Sequence, residues 1–216
     1  DITAGLGYHA DFHCQKSHYG VALLSRVEPL AITKGLPLDP EGAQRRVITG
    51  HYALPGGDTV TIINAYFPQG KGRANLVKFP AKQRFFADLT AYVRGGFVPD
   101  QNLVILGDMN VAPLDLDIGI GADNAKRWLR EGKCSFLPEE REWLANLQGF
   151  GLVDAYRLKY PATHDRFSWF DYRSRGFERD PKHGLRIDLV LVAPPLADRL
   201  TDVGIDYDIR TMDRPS

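Results

Sequence analysis

Cysteine is scarce: Cys14 and Cys134 are the only two in 216 residues, which argues against a disulfide framework and suits a reducing compartment such as the cytoplasm. Long apolar runs are missing too. None approaches the roughly 20 residues that a bilayer crossing needs, and no basic-then-apolar leader opens the sequence, so no membrane partner is expected. Net charge is absent, with 27 Lys and Arg against 27 Asp and Glu. The molecule as a whole therefore does not attract a polyanion, and nucleic-acid binding must come from a local basic face. This disfavours a coating protein and leaves room for an enzyme with a polarised groove. Repeats and low-complexity segments do not occur. An initiating Met is also missing, and Asp1 to Gly7 begins without a recognisable cap, as a cut through a domain would.

What is present is an ordinary soluble composition, 44% hydrophobic and 25% charged, sufficient for one well-buried domain over residues 1–216. The most informative stretch is Leu103-Val-Ile-Leu-Gly-Asp-Met-Asn110. Its apolar run is too short for a helix and lacks polar alternation, which predicts a strand buried on both faces. Gly107 lets the backbone turn. Asp108 and Asn110, two apart, project to the same side of an extended chain and deliver a carboxylate and an amide together. A carboxylate can bind a hard cation or take a proton from water, and an amide can donate to a phosphoryl oxygen. A plain turn, where Gly, Asp and Asn are common, fits the same residues.

Strands are expected over Tyr8 to Phe12 and Tyr19 to Ser25, with His18 in the loop that joins them. Glu28 to Gly42 is punctuated by Pro and Gly as a loop. Gln44 to Tyr52 and Thr59 to Tyr66 form a hairpin about Gly56 and Gly57, which places Tyr66 where scaffold passes into loop. A helix is expected from about Pro80 to Arg94, burying Phe85, Phe86, Leu89, Tyr92 and Val93, with basic Lys78, Lys82 and Arg84 near its start. Asp115 and Asp117 alternate in a loop that lacks the further ligands and closing Glu of a calcium loop. Helices follow over Asn124 to Arg130 and Pro138 to Gln148, then strands over Leu152 to Tyr156, Phe167 to Phe170 and Gly184 to Val192. Asp188 interrupts the last apolar run, where a carboxylate needs a partner. Arg166, Arg173, Arg175, Arg179, Lys182 and Arg186 beside Trp169 and Phe170 have the make-up of a nucleic-acid surface with a stacking element.

Several segments together carry a resemblance, in order and over nearly the whole chain: His18-Tyr-Gly-Val-Ala, Gln44-Arg-Arg, Asn64-Ala-Tyr-Phe-Pro-Gln-Gly70, Lys78-Phe-Pro-Ala-Lys82, Gly107-Asp-Met-Asn110, Asp115-Leu-Asp-Ile-Gly-Ile-Gly121, Cys134-Ser-Phe-Leu-Pro-Glu-Glu-Arg-Glu-Trp143, Phe167-Ser-Trp-Phe-Asp-Tyr-Arg173 and Leu185-Arg-Ile-Asp188. They resemble the bacterial exonuclease III family of the endonuclease/exonuclease/phosphatase superfamily. The resemblance implies an α/β fold, a four-layer α/β/β/α sandwich with two central mixed sheets. It implies Mg²⁺-dependent cleavage of double-stranded DNA at abasic sites and from 3′ ends, with Mn²⁺ as a substitute, by a cytoplasmic monomer. Asp108 would deprotonate the attacking water and hold the metal with Asn110, which would also hold a phosphate oxygen. Tyr66 would sit against the phosphate, and Asp188 would fix a histidine. Arg46 and Lys82 are expected at the DNA, as are Trp169, Phe170, Leu185 and Ile187, with Trp169, Leu185 and Ile187 forming a pocket for a base-free sugar. Family members carry a strand with an asparagine and one with a glutamate upstream of this chain's start, and an Asp-His downstream of Ser216. The chain is therefore expected to be a fragment, incomplete at both ends and weakly active or inactive. A phosphatase acting on a soluble ester and a noncatalytic DNA-binding relic are the alternatives.

Overall fold

A computed structural model describes residues 2–212. After a single helical turn, α1 (Ile2–Gly5), the strands β1 (His9–Cys14) and β2 (Gly20–Ser25) pair antiparallel as a hairpin. Then come β3 (Ala31–Lys34), β4 (Val47–Ala53) and β5 (Thr59–Ala65), the helix α2 (Lys78–Gly96), and β6 (Leu103–Asp108). A 3-10 turn at Asp115–Asp117 leads to α3 (Ala122–Glu131) and α4 (Pro138–Gln148). The last third holds β7 (Val153–Asp154), α5 (Ala155–Lys159), β8 (Trp169–Phe170), β9 (Gly184–Leu185), β10 (Asp188–Val192), α6 (Pro194–Ala197) and α7 (Asp208–Thr211).

Six strands join in the order β3-β4-β5-β6-β10-β7, and β1-β2 and β8-β9 form separate two-stranded ribbons. The large sheet is mixed: β5 and β6 run parallel, joined by α2 as crossover, while β10 runs antiparallel to both β6 and β7. Helices cover one face. Leu103, Ile105, Leu189 and Leu191 point into the same core as Phe86, Leu89 and Val93 of α2 and Leu144 and Leu147 of α4. Each such side chain contributes about 1.5–3 kcal/mol on burial, which makes this layer the main source of stability. On the other face, Val21 and Leu23 of the hairpin pack over Ile48, with Ile62 and Tyr66 against them. Two polar ties fix that hairpin: Asn64 Nδ2 donates to the Ala22 carbonyl (2.8 Å), and His13 Nδ1 lies 2.8 Å from the Val47 carbonyl. Among the described residues no helix is long and apolar enough to cross a membrane.

The mixed α/β layering agrees with the expectation, and four local readings need correction. β6 is not buried on both faces: Leu103 and Ile105 are fully buried whereas Val104 and Leu106 keep partial exposure, the alternation of a sheet covered on one side. The loop over Glu28 to Gly42 contains β3, a short edge strand. Only Val153–Asp154 of the strand expected over Leu152 to Tyr156 is extended, because Asp154 Oδ1 accepts the backbone N–H groups of Tyr156 and Arg157 and so caps α5. The long final strand is broken at Arg186 and Ile187, so Asp188 opens β10 and does not sit in the middle of a buried run.

Candidate active site

Gly107 stands next to last in the central strand, paired with Leu189, because a side chain does not fit there. Its φ is +133°, and an added Cβ would lie 2.1 Å from the Ala65 carbonyl oxygen on β5. That close approach turns the next residues to the sheet's mouth. The Asp108 carbonyl accepts from Phe67 N (2.9 Å), and Met109 N donates to the Ile187 carbonyl (2.9 Å). Asn110 adopts a left-handed backbone, φ +53°, which asparagine tolerates because its side chain bonds locally. Its N–H donates to Asp108 Oδ1 (2.9 Å) and its Nδ2 to the Phe67 carbonyl (3.0 Å). Asp108 and Asn110 are thus brought together by a turn, not by the alternation of an extended strand.

Across the ladder, Asp188 is the direct antiparallel partner of Asp108. Opposed residues in such a pair place their Cβ atoms about 4.5–5.5 Å apart, and like charges there repel. Burial pushes the Asp108 carboxyl up to about 7, with the Asp188 charge as the second cause. Asp188 is also raised, chiefly by burial, against the pull of the Ser168 hydroxyl and the Arg210 charge. By area Asp188 is exposed, yet enough protein surrounds its carboxylate for desolvation to lead. Ser168 Oγ accepts from both Ile187 N and Asp188 N at 3.0 Å, and its carbonyl accepts from the Arg210 guanidinium. Neither Ser168 nor Arg210 emerged from the sequence; the Phe-Ser-Trp-Phe stretch drew attention for its aromatics alone.

Tyr66 follows β5 on the same side as Asp108, half-buried against the hairpin. Arg46 lies between two tyrosines, its Cζ 3.9 Å from the Tyr19 ring centre and 4.8 Å from that of Tyr66. Its Nη1 donates to the Tyr66 carbonyl (2.9 Å) and its Nε to Gln44 (2.6 Å). Arg46 is 6% exposed, so it is part of the wall of the site and not an arm reaching out to DNA. Burial lowers its pKa, and the neighbouring Tyr19, Tyr66 and Asp108 oppose that shift.

Other expected DNA contacts need stronger correction. Lys82 is fully buried: its Nζ donates to Glu140 Oε1 (2.5 Å) and to the Asn110 carbonyl (2.9 Å), so it lies beneath the site. Phe170 is buried within the Phe167, Phe177 and Tyr207 rings, where no base can stack on it. Leu185 and Ile187, 1% and 3% exposed, are packing beneath the half-buried Trp169 and offer little pocket surface of their own. Arg186 leaves the basic surface for a buried ion-pair cluster with Asp117 and Asp154, whereas Arg166, Arg173, Arg175 and Arg179 are exposed.

Among the described residues no group of three or more His, Cys, Asp or Glu side chains is placed to hold a metal. The oxygen donors brought together across the ladder are the carboxylates of Asp108 and Asp188, and Asn110, 5% exposed, has its amide nitrogen committed to the Phe67 carbonyl. Hard oxygens of this kind fit a hard divalent cation that keeps several waters. The arrangement can accept a proton near neutral pH, accept a cation, and donate one further N–H to an anion.

A family model described as the Endonuclease/Exonuclease/phosphatase family matches residues 2–216. The chain is 54% identical to the exodeoxyribonuclease III of Haemophilus influenzae, over 100% of this chain and 80% of that protein. It superposes on a 3′ phosphatase from Neisseria bound to product DNA hairpin with a TM-score of 0.87 at 36% identity, covering 100% of this chain and 78% of the other. An AP endonuclease from Archaeoglobus fulgidus gives a TM-score of 0.85 at 29% identity, covering 99% and 77%.

Proposed function

The chain belongs to the endonuclease/exonuclease/phosphatase family, and from that premise we propose that it is a DNA-repair hydrolase that cleaves phosphodiesters of double-stranded DNA at abasic sites and 3′ ends. The observation that carries this is the opposed pair Asp108 and Asp188 with Asn110 beside it, an excess of negative charge and hydrogen-bonding capacity at one mouth. The names of its relatives, among them an exodeoxyribonuclease III and an AP endonuclease, favour DNA over a soluble ester.

Asp108, deprotonated above a pH of about 7, takes the proton of the water that attacks phosphorus. The second amide hydrogen of Asn110, left over after the Phe67 contact, goes to a nonbridging phosphoryl oxygen, and the Tyr66 hydroxyl flanks the phosphate. Buried Arg46 adds positive potential behind Tyr66. Asp108, Asp188 and the Asn110 Oδ1 are the residues that would hold Mg²⁺, with Mn²⁺ as a substitute. A bound divalent ion supplies charge neutralisation at the phosphate. Trp169 closes the sugar side, with Leu185 and Ile187 as packing behind it.

Two carboxylates and one amide oxygen are a thin ligand set for an ion that dehydrates reluctantly, and among the described residues Asp188 is attended by Ser168 and Arg210. We therefore expect slow turnover by these 216 residues on their own. The two free thiols suit a cytoplasmic enzyme, acting as a single catalytic unit and a monomer. Single-turnover cleavage, enzyme in excess, on an abasic duplex, a blunt duplex and a soluble phosphate monoester tests this with Mg²⁺, Mn²⁺ and EDTA. Cation-dependent cleavage of the duplexes is expected, reduced roughly 10²- to 10⁴-fold in Asp108→Asn. Preference for the monoester, or duplex binding without any cleavage, would overturn it.

A further inference from the structure

Lys82 is a charged residue that the reaction does not use directly, yet the catalytic loop rests on it. Its side chain is fully buried. The aliphatic stem lies against Gly70, where a Cβ would come within 3.1 Å of Lys82 Cδ. At its tip, Nζ donates to the Asn110 carbonyl (2.9 Å) and to Glu140 Oε1 (2.5 Å). The other oxygen of Glu140 accepts from Ser135 N (2.8 Å) and Leu137 N (2.9 Å) at the start of α4. One buried ion pair therefore joins α2, α4 and the turn that carries Asn110. Burying such a pair costs desolvation, and well-packed apolar residues often serve stability equally well. What apolar residues cannot do is donate a hydrogen bond to the Asn110 carbonyl.

That bond completes a set of three. Asn110 gives its N–H to Asp108, one amide hydrogen to Phe67, and receives Lys82 at its carbonyl, all with its backbone in the left-handed region. Held at these points, its remaining amide hydrogen has a fixed direction. We propose that Lys82, itself set by Glu140, is a positioning residue that acts through Asn110: it holds the turn so that the asparagine amide faces the phosphate. This rests on the phosphodiester reading of the site.

The test is a mutant cycle in the full chain. Lys82→Met combined with Glu140→Gln removes both charges together, so no orphan charge stays buried, and the amide oxygen at position 140 can still accept from Ser135 and Leu137. Single-turnover cleavage of an abasic duplex with Mg²⁺ is expected to slow about 10- to 100-fold in this double variant, the scale of a misplaced catalytic group. Added to Asn110→Ala, the same two changes are expected to slow cleavage by no more than about twofold, since a residue acting through Asn110 has nothing left to lose. An undiminished further loss on the Asn110→Ala background would make Lys82 a structural staple and overturn the proposal. Deuterium exchange over residues 108–112 is read alongside, without DNA or metal. Faster exchange in the double variant is expected, and unchanged protection counts against the proposal. A parent chain that cleaves no duplex sinks the phosphodiester reading, and the exchange measurement still decides whether Lys82 holds the turn.

Discussion

Arg186 and Asp188 stand two residues apart and belong to opposite kinds of charge cluster. Arg186, 1% exposed, places Nε 2.6 Å from Asp117 Oδ1 and Nη2 2.6 Å from Asp154 Oδ2, and Arg157 supplies a second cation to Asp117. Asp117 Oδ2 also accepts from Leu114 N (2.9 Å), and Asp154 caps α5. The anions there are matched by cations and backbone donors, so the cluster is closed. Asp188 instead stands directly opposite Asp108 in the ladder, and both carboxyls are raised even though Lys82 and Arg46 pull on Asp108 and Arg210 on Asp188. A closed cluster fixes three chain segments and has no capacity for a ligand; an open one stores repulsion that a proton or a cation relieves. The difference separates structural from functional charge where residue type alone does not.

The sharpest way to break the closed cluster is Arg186→Met, which leaves Asp117 and Asp154 without their shared guanidinium. A loss of about 3–5 kcal/mol in urea unfolding is expected, as for other buried pairs deprived of one partner. In the open cluster, Asp188→Asn is expected to behave in the reverse sense, lowering the cleavage rate by roughly 10²-fold while the unfolding midpoint at neutral pH holds or rises.

The pH dependence sharpens the contrast further. The folded Asp108 titrates near 7, above its unfolded value, so its protonated form stabilises the fold fully below a pH of about 4 and that contribution is lost as pH rises through 7. Asp108→Asn stays neutral throughout, and its stability relative to the parent is expected to climb over that window in urea titrations. Cleavage by the parent is expected to rise through the same range. The smallest effect belongs to the exposed Arg175–Glu178 pair, 3.6 Å apart: Glu178→Gln is expected to change stability by no more than about 0.5 kcal/mol and cleavage not at all.

Much of the architecture was legible because apolar spacing is local. The α4 boundaries, Pro138–Gln148, agree with the expectation, and α2 extends it by a residue or two at each end. Asp108 and Asn110 drew attention at the end of one apolar run and Asp188 as the carboxylate interrupting another; in the fold Asp188 stands opposite Asp108 in the ladder and Asn110 N donates to Asp108. Lys82 and Arg186 misled because periodicity counts a basic residue as surface, and the carboxylates that bury them lie 58 and 69 residues away. No local pattern reports a pairing at that distance. Lys78 and Arg84, on the same helix, are exposed as expected, so nothing nearby distinguishes the buried lysine from its neighbours. β3 escaped for a different reason: a four-residue edge strand with little burial leaves almost no alternation to detect.

The claim that Asp108 and Asp188 form one shared site is tested most directly by following the Asp108 carboxyl carbon by NMR from about pH 4 to 9, spanning ordinary and raised carboxyl values, in the parent and in Asp188→Asn, with and without Mg²⁺. A midpoint near 7 in the parent that falls when Asp188 is neutralised, and falls again with Mg²⁺, is the expected result. An ordinary midpoint in both proteins, unmoved by the cation, would contradict it.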